Sequence, residues 1–513
     1  MTHANRAVAA VRLTETSRPR GRSRRRQSAR AAIGGLVALW AIACSDQGPS
    51  RSIGAARVSL TTVGLDLDAD GYTLTLDGGP PQAVTISGSV ILTGVTSGAH
   101  TLALGDVAAN CTPSDANTRA LNVIAGDTAD ATFAVTCTST FASVSVGYLF
   151  ACGITIGGGT YCWGINEYGQ LGDGDPTGPA QCLVYIGRDV SYPCSNTPVP
   201  VIGELRFAAA SAGSWHACGI TAGGAAYCWG DNRYGELGDG TATSRASPVV
   251  VQGGLRLVAV SAGASHTCGV TTAGAAYCWG DNTYGQLGDG TTTSRPIPVR
   301  VLGGLTFASV SAAAGGVHTC GIATDGATYC WGGDAFGELG DGTTTNRTSP
   351  VAVAGGLTFA LIRAGGSHTC GVTTTGAAYC WGANSYGQVG DGTTTDRSSP
   401  VAVLGGITFV AVSAGAGHTC GITPVGAALC WGWNHYGQLG DGTGVDRSSP
   451  AAVSGGLTFR ALSVAGGGGA HTCGLTSTGE AYCWGDGEYG ELGEGQSGSA
   501  HYTTVPVKVA GQP

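Results

Sequence analysis

Residues 257–291 read LVAVSAGASHTCGVTTAGAAYCWGDNTYGQLGDGT, and close copies of this stretch fill the chain from residue 141 to the end. Its first cysteine recurs at Cys152, Cys218, Cys268, Cys320, Cys370, Cys420 and Cys473, in steps of 66, 50, 52, 50, 50 and 53 residues. Each unit holds four short apolar stretches with a period of two, as in Leu257–Ser261, His266–Thr271, Ala275–Trp279 and Ile297–Val301, separated by Gly, Asn, Asp and Thr. That pattern predicts four short strands per unit. One such sheet cannot bury both faces, but seven arranged radially pack face to face and leave few open edges. The spacing therefore predicts an all-β chain whose residues 141–513 form a seven-bladed β-propeller.

Composition agrees. Gly supplies 90 of 513 residues and charged residues only 11%, against about 7% and 25% in ordinary chains. Glycine without a period of three implies turns rather than collagen, and the apolar content of 42% is enough for a packed core.

The recurring His-Thr-Cys-Gly, Tyr-Cys-Trp-Gly and Gly-x-Leu-Gly-Asp-Gly elements resemble the regulator of chromosome condensation family of propellers; all seven copies carry Cys-Trp-Gly. Members of that family include a guanine-nucleotide exchange factor for a small nuclear GTPase and a secreted bacterial inhibitor of β-lactamases. The resemblance implies protein binding as the shared function, without a transferable partner.

Upstream, residues 1–30 hold nine arginines and one acid, Glu15; the apolar run Ala31–Ala43 follows and ends at Cys44. An Arg-rich start before a 13-residue apolar run reads as an export signal, too short to span a membrane comfortably. The segment Ala41-Ile42-Ala43-Cys44 resembles a bacterial lipobox and implies lipidation at Cys44. The mature protein is then an envelope lipoprotein, or a secreted one if unlipidated. Residues 44–57 read as a tether. Removal of residues 1–43 leaves 25 − 9 = 16 basic against 33 − 1 = 32 acidic residues, a net charge of about −16. Such a surface repels phosphate backbones, so nucleic acid is not an expected partner.

Residues 58–138 carry strand-like runs (Tyr72–Leu76, Val90–Leu92, His100–Leu104, Ala131–Val135) and read as a small β-sandwich. It loosely resembles immunoglobulin-like or carboxypeptidase-regulatory-like modules.

Setting Cys44 aside, 18 of the 19 cysteines remain, an even number suited to an oxidising compartment. In every repeat two cysteines lie ten residues apart across a predicted hairpin, symmetric about its turn. Directly opposed strand residues lie within disulfide reach. The expected pairs are Cys152–Cys162, Cys218–Cys228, Cys268–Cys278, Cys320–Cys330, Cys370–Cys380, Cys420–Cys430 and Cys473–Cys483, with Cys111–Cys137 in the sandwich and Cys182–Cys194 in an insertion. Unpaired buried thiols and a metal site are the alternatives.

Other recurring polar residues read as structural. His216, His266, His318, His368, His418 and His471, with Phe150 in the first unit, are expected to be buried and hydrogen-bonded within their own blades. The aspartates of the Gly-Asp-Gly turns suit turn chemistry. Asp66, Asp68, Asp70 and Asp77 match the oxygen-ligand spacing of a calcium loop, with Gly71 at the sixth position. Against calcium stand an Asp at position twelve and a following strand; an Asp-Gly strand turn is the competing reading. No cofactor is otherwise expected. No serine triad, metal triad or paired carboxylate stands outside the repeated turns, so the reading is of a non-enzyme.

Connections between the first and second strands, and between the third and fourth, emerge on one side of a propeller. Departures from the repeat gather there: Tyr148, Leu149, Trp215 and Val317 in the first set, Ile165, Glu167, Arg233, Phe336, Trp433, His435 and Glu488 in the second. Residues 176–195 read as a loop inserted in the first unit, carrying Tyr185, Ile186 and Tyr192. Tyr185, Tyr192, Trp215, Arg233, Trp433 and His435 are the candidate partner-binding residues. The partner is expected to be a protein, with an envelope glycan stacking on Trp215, Trp433 and Tyr148 as the alternative, and nucleotide exchange as a third reading by family analogy.

Overall fold

A computed structural model describes residues 52–68, 70–185, 189–203 and 205–513, with the side chains of Tyr185 and Asp189 left aside. Cys44, the expected lipidation site, lies outside the described residues, as does Ile186. Every regular element among the described residues is a strand.

The first eight strands are β1 (Ile53–Gly64), β2 (Tyr72–Leu76), β3 (Gln82–Val84), β4 (Gly88–Thr96), β5 (Gly98–Gly105), β6 (Cys111–Pro113), β7 (Thr118–Val123) and β8 (Thr128–Cys137). They form two four-stranded sheets, β4-β1-β8-β6 and β3-β2-β5-β7. Alternation drives this pairing: along β8, Ala131, Phe133, Val135 and Cys137 are buried while the residues between them are exposed. They meet Val58, Leu60, Leu74, Leu102 and Val123 from the two sheets. Strand β1 begins at Ile53, so part of the stretch that composition reads as tether is sheet; its apolar Ala56 and Val58 are fully buried.

The next strands, β9 (Phe141–Val146), β10 (Phe150–Thr155), β11 (Thr160–Ile165), β12 (Ala180–Tyr185) and β13 (Asp189–Pro200), form one five-stranded sheet, in the order β12-β13-β11-β10-β9. Six four-stranded sheets follow, each built from consecutive strands, giving seven blades among the described residues. Their first strands are Phe207–Ala212, Leu257–Ala262, Phe307–Ala312, Phe359–Ala364, Ala411–Ala414 and Phe459–Val464. These and β9 line the central channel. Each blade is whole, and ring closure joins blade 7 to blade 1 side by side.

Within each blade the two cysteines are direct cross-strand partners, as in Cys268↔Cys278. The seven blade disulfides have Cα–Cα distances of 4.0–4.1 Å. Cys111 is bonded to Cys137 and Cys182 to Cys194.

Blades are joined by a repeated polar clasp. The fully buried Trp279 of blade 3 donates its indole N–H to the Glu236 carbonyl of blade 2 at 2.9 Å, and all seven blade tryptophans make the equivalent bond. Thr267 Oγ1 of blade 3 donates to the same carbonyl at 2.8 Å and lies 2.8 Å from His216 Nε2 of blade 2. Because the threonine proton is committed to the carbonyl, Nε2 of the histidine is the donor. The histidines are therefore not bonded within their own blades: each reaches the threonine of the next, in five junctions from His216–Thr267 to His418–Thr472 at 2.8–3.0 Å. The own-blade expectation fails because the histidine stands on the inner second strand of its sheet and its ring projects from the blade face, where the adjacent blade supplies the hydroxyl. Burial pulls these imidazoles down to about 3 or 4, so they stay neutral.

Candidate interaction face

The turn after each third strand is a rigid platform. In blade 3, Asn282 Oδ1 accepts the Leu287 N–H at 2.9 Å, while Asn282 Nδ2 donates to Asp289 Oδ1 and to the carbonyls of Thr291 and Thr293. Asp289 also accepts from Thr291 and pairs with Arg295 at 3.1 Å. Burial alone pushes its carboxyl up, but these hydrogen bonds hold it below its ordinary value. The Gly-Asp-Gly aspartates are thus consumed by turn structure.

What the platform presents is an aromatic ring. The Tyr284 N–H donates to Gln286 Oε1 at 2.9 Å, fixing the backbone and leaving the phenol 44% exposed. The equivalent positions are Tyr168, Tyr234, Phe336, Tyr386, Tyr436 and Tyr489; Tyr234, Phe336 and Tyr386 are exposed to a similar degree. Sequence reasoning singled out Phe336 alone, as a departure, and passed over the six tyrosines because they do not vary between repeats. The signal available was that a large aromatic inside a Gly- and Asn-rich turn has no strand face on which to be buried.

The departures build two clusters on this ring. Trp215 lies edge-on between Tyr148 (4.9 Å between centroids) and Tyr168 (5.4 Å), and the Arg233 guanidinium stacks on Tyr168 at 4.9 Å while pairing with Asp231 at 2.7 Å. Trp433 packs between Tyr386 (5.8 Å) and Tyr436 (5.7 Å), and Tyr436 also meets His435 and Tyr502. Both tryptophans are half-buried, whereas Arg233 and His435 are exposed. Burial raises the phenols of Tyr148, Tyr168 and Tyr436, which keeps them protonated as donors. Leu149 and Ile165 vary among repeats but are buried, and so do not contribute to the face.

The insertion is a hairpin rather than a loop. Strands β12 and β13 extend blade 1 outward, with Cys182 and Cys194 on adjacent strands 5.9 Å apart at Cα. Tyr192 contacts Tyr489 of blade 7 at 5.4 Å, which attaches the hairpin to the aromatic ring; Tyr185 ends β12.

At the centre of this face the longest first-to-second strand connections, from blades 4 and 7, meet. A Cβ on Gly315 would lie 1.8 Å from Gly467 N, and one on Gly466 would lie 1.6 Å from the Ala314 carbonyl. Blades 4 and 7 are three positions apart, the widest separation a ring of seven allows, so these loops cross the axis. Only glycine permits that approach. The extra residues behind the 52- and 53-residue repeat steps thus cap the channel.

Three of the four calcium-loop aspartates are drawn to different partners. Asp66 Oδ1 accepts the Thr155 hydroxyl of blade 1 at 2.6 Å, Asp68 Oδ2 accepts the Ala108 N–H, and Asp77 binds His100 and the Thr101 N–H. Among the described residues no group of three or more His, Cys, Asp or Glu is disposed to hold a metal ion. At the turn that follows Asp70, Gly71 has φ +80° beside the Val84 carbonyl. Nor does any helix among the described residues have the length and apolarity to cross a membrane.

Two sequence models of one family, both described as "Regulator of chromosome condensation (RCC1) repeat", match this chain. One covers residues 157–220, 223–270, 273–322, 325–372, 375–422 and 426–475, and the other covers six 30-residue segments from 141–170 to 462–491. Among curated proteins, the "Probable E3 ubiquitin-protein ligase HERC4" of Homo sapiens and that of Mus musculus are each 30% identical over 95 residues, 18% of this chain and 8% of theirs. Among solved structures, human WBSCR16 has a TM-score of 0.58 at 21% identity, covering 68% of this chain and 93% of its own. Yeast RCC1 (Prp20), in the crystal structure of Kap60 bound to it, has a TM-score of 0.57 at 18% identity, covering 71% of this chain and 84% of its own.

Proposed function

The chain belongs to the regulator of chromosome condensation (RCC1) repeat family, and from that premise we propose that it is an exported, lipid-anchored binding protein whose propeller holds a partner protein on its aromatic loop face. The observation that carries the reading is the combination there of seven turn aromatics, Trp215, Trp433 and the Tyr168-stacked Arg233. Tyr, Trp and Arg are the residues that concentrate binding energy in protein interfaces. Turns locked by Asn and Asp lose little entropy on association. Yeast RCC1 (Prp20) has been solved bound to Kap60, and Prp20p from Saccharomyces cerevisiae has binding properties to Gsp1p and histones. Export is supported by the Arg-rich start and by nine disulfides, which persist in oxidising compartments. A net charge of about −16 after removal of residues 1–43 argues against nucleic acid.

Affinity capture from envelope extracts, comparing native protein with a Trp215→Ala/Trp433→Ala variant, tests the face. A protein retained by the native chain and lost with the variant supports it; equal retention by both overturns it. Mass spectrometry of the mature N-terminus tests the anchor, which requires a diacylglyceryl group on Cys44. The exposed rings also suit a glycan, which a glycan array would reveal as saturable binding abolished by the same two substitutions.

A further inference from the structure

The channel holds one residue that the repeat does not call for. At the same register in each first strand, opposite the first cysteine of each repeat, stand Ser145, Ser211, Ser261, Ser311, Arg363, Ser413 and Ser463. They form one ring around the axis, six serines and one arginine, on the wall of a cavity of about 460 Å³.

Five of the serines are oriented by the fold. Ser145, Ser211, Ser261, Ser311 and Ser463 each accept a backbone N–H from the first strand of the next blade at 2.9–3.1 Å. Their hydroxyl protons have no protein acceptor among the described residues and remain free to donate. Arg363 uses one N–H, from Nη1 to the Ile362 carbonyl at 3.0 Å. A guanidinium has five donors in a planar fork, so four remain. No carboxylate lines the cavity, and among the described residues Arg363 has no ion pair. The Arg363 side chain is exposed to the channel space, and the neighbouring blade walls draw its pKa down with no acid beside it. In a chain this acidic, a lone channel cation ringed by hydroxyl donors is suited to one kind of guest.

We propose that the channel is a binding site for a small oxyanion, a carboxylate or a phosphate, held by the Arg363 fork and the serine hydroxyls. Arginine forks match both groups by two parallel hydrogen bonds. The crossed glycine loops of blades 4 and 7 cap the channel on the aromatic face, so the anion does not come from a protein seated there. It is a separate ligand, and this site stands or falls independently of the interaction face.

The test is calorimetric titration of the mature protein with inorganic phosphate and, separately, with succinate, at constant ionic strength maintained with chloride. Saturable binding of either, with Kd of about 1 mM or tighter, is the expected result; the stronger of the two identifies the anion class. Arg363→Ser makes a ring of seven serines, the residue used by the other six blades. It should fold with unchanged thermal stability or better and lose at least tenfold in affinity, while Arg363→Lys, a cation without the fork, should fall between. Ser261→Ala, which removes one hydroxyl donor on the ring, should weaken binding by a smaller factor. Equal binding by the native protein and Arg363→Ser, or no saturable response to either anion in a folded native protein, overturns the proposal.

Discussion

Replacing Glu236 by Gln should stabilise the protein at neutral and alkaline pH and leave it nearly unchanged in acid. The position two residues after each turn aromatic is Gln170, Gln286, Gln388 or Gln438 in four blades and an acid, Glu236, Glu338 or Glu491, in three, all buried. In blade 3 the amide works in full: Gln286 Oε1 accepts the Tyr284 N–H and Nε2 donates to Asp281 Oδ2 at 2.9 Å. In blade 2, Glu236 Oε2 accepts the Tyr234 N–H, but a carboxylate has nothing to donate to Asp231. Burial first, and the Asp231 charge with it, raise the Glu236 carboxyl from 4.5 to about 7. The folded state therefore binds this proton more tightly than the unfolded chain. Its contribution is complete below pH 4.5, falls as pH rises toward 7, and is gone above that. At about 1.4 kcal/mol per tenfold change in proton affinity, the loss is about 3 kcal/mol. With an unfolding entropy of about 2.1 cal/mol/K per residue over the roughly 460 residues from Ser52 to Pro513, that is about 3 °C in melting temperature. Melting by circular dichroism at pH 4 and pH 8 measures it: Glu236→Gln should exceed native by about 3 °C at pH 8 and match it at pH 4. The converse Gln286→Glu should import the pH dependence into blade 3. A native-to-variant gap that does not change with pH refutes the reasoning.

Glu338→Gln should show the same signature, since burial likewise raises its carboxyl to about 7, and an additive double variant would place the two effects in separate junctions. Ala151→Thr should raise stability by about 1 kcal/mol in denaturant unfolding, because it offers buried His471, whose two ring nitrogens lack partners, the hydroxyl that five other junctions possess; no gain would mean that seam is closed to the clasp. Trp215→Ala and Trp433→Ala should each weaken partner binding by about 2 kcal/mol, measured by surface plasmon resonance, with little change in folding since neighbouring repeats place Gly, Ala, Ser or Asp there. Non-reducing peptide mapping should recover nine disulfides and no free blade thiol. The blade cysteines are at most 1% exposed, so reduction should require denaturant, and each 10-residue loop opened should cost ~2–3 kcal/mol.

The repeat made the architecture legible because one physical unit was written seven times. The positions of Cys268, Cys278 and Trp279 on paired strands followed from spacing alone. What the sequence did not reveal was anything decided between blades. The His216–Thr267 bond spans 51 residues, and a linear reading places both partners in separate copies of the same motif, where each appears self-contained. The aromatic ring was missed for a related reason. Comparing repeats directs attention to differences, while Tyr284 and its equivalents matter through being the same and facing one way. Residues 176–195 looked like a loop because the interruption of the repeat was visible but the edge of blade 1, free to accept β13 and β12, was not.

The departures in blade 1 have a common explanation in ring closure. Between blades 1 and 2 the clasp is replaced as a pair: Phe150 stands for histidine and Ala217 for threonine, and both are buried in one apolar cluster. Between blades 7 and 1 only one partner is replaced, leaving His471 opposite Ala151 and unbonded. That seam lacks the histidine–threonine bond, and it is where material from outside the repeats attaches. Leu65, from the sandwich side, joins Phe141, Trp163 and Val509 in the core that spans blades 1 and 7. The Asp66 N–H donates to the Tyr161 hydroxyl at 2.6 Å, and the Asp66 carboxylate takes Thr155. Gln512, near the C-terminus, bonds both the N–H and the carbonyl of Ala481 in blade 7. Five junctions are held by a histidine clasp that the repeat supplies; the closing junction keeps the Trp163–Glu491 bond and adds Leu65 from outside the repeats. The segment around Asp66 thus acts as a buttress on the seam, and removing residues 52–138 should lower the melting temperature of the propeller even though no blade is touched.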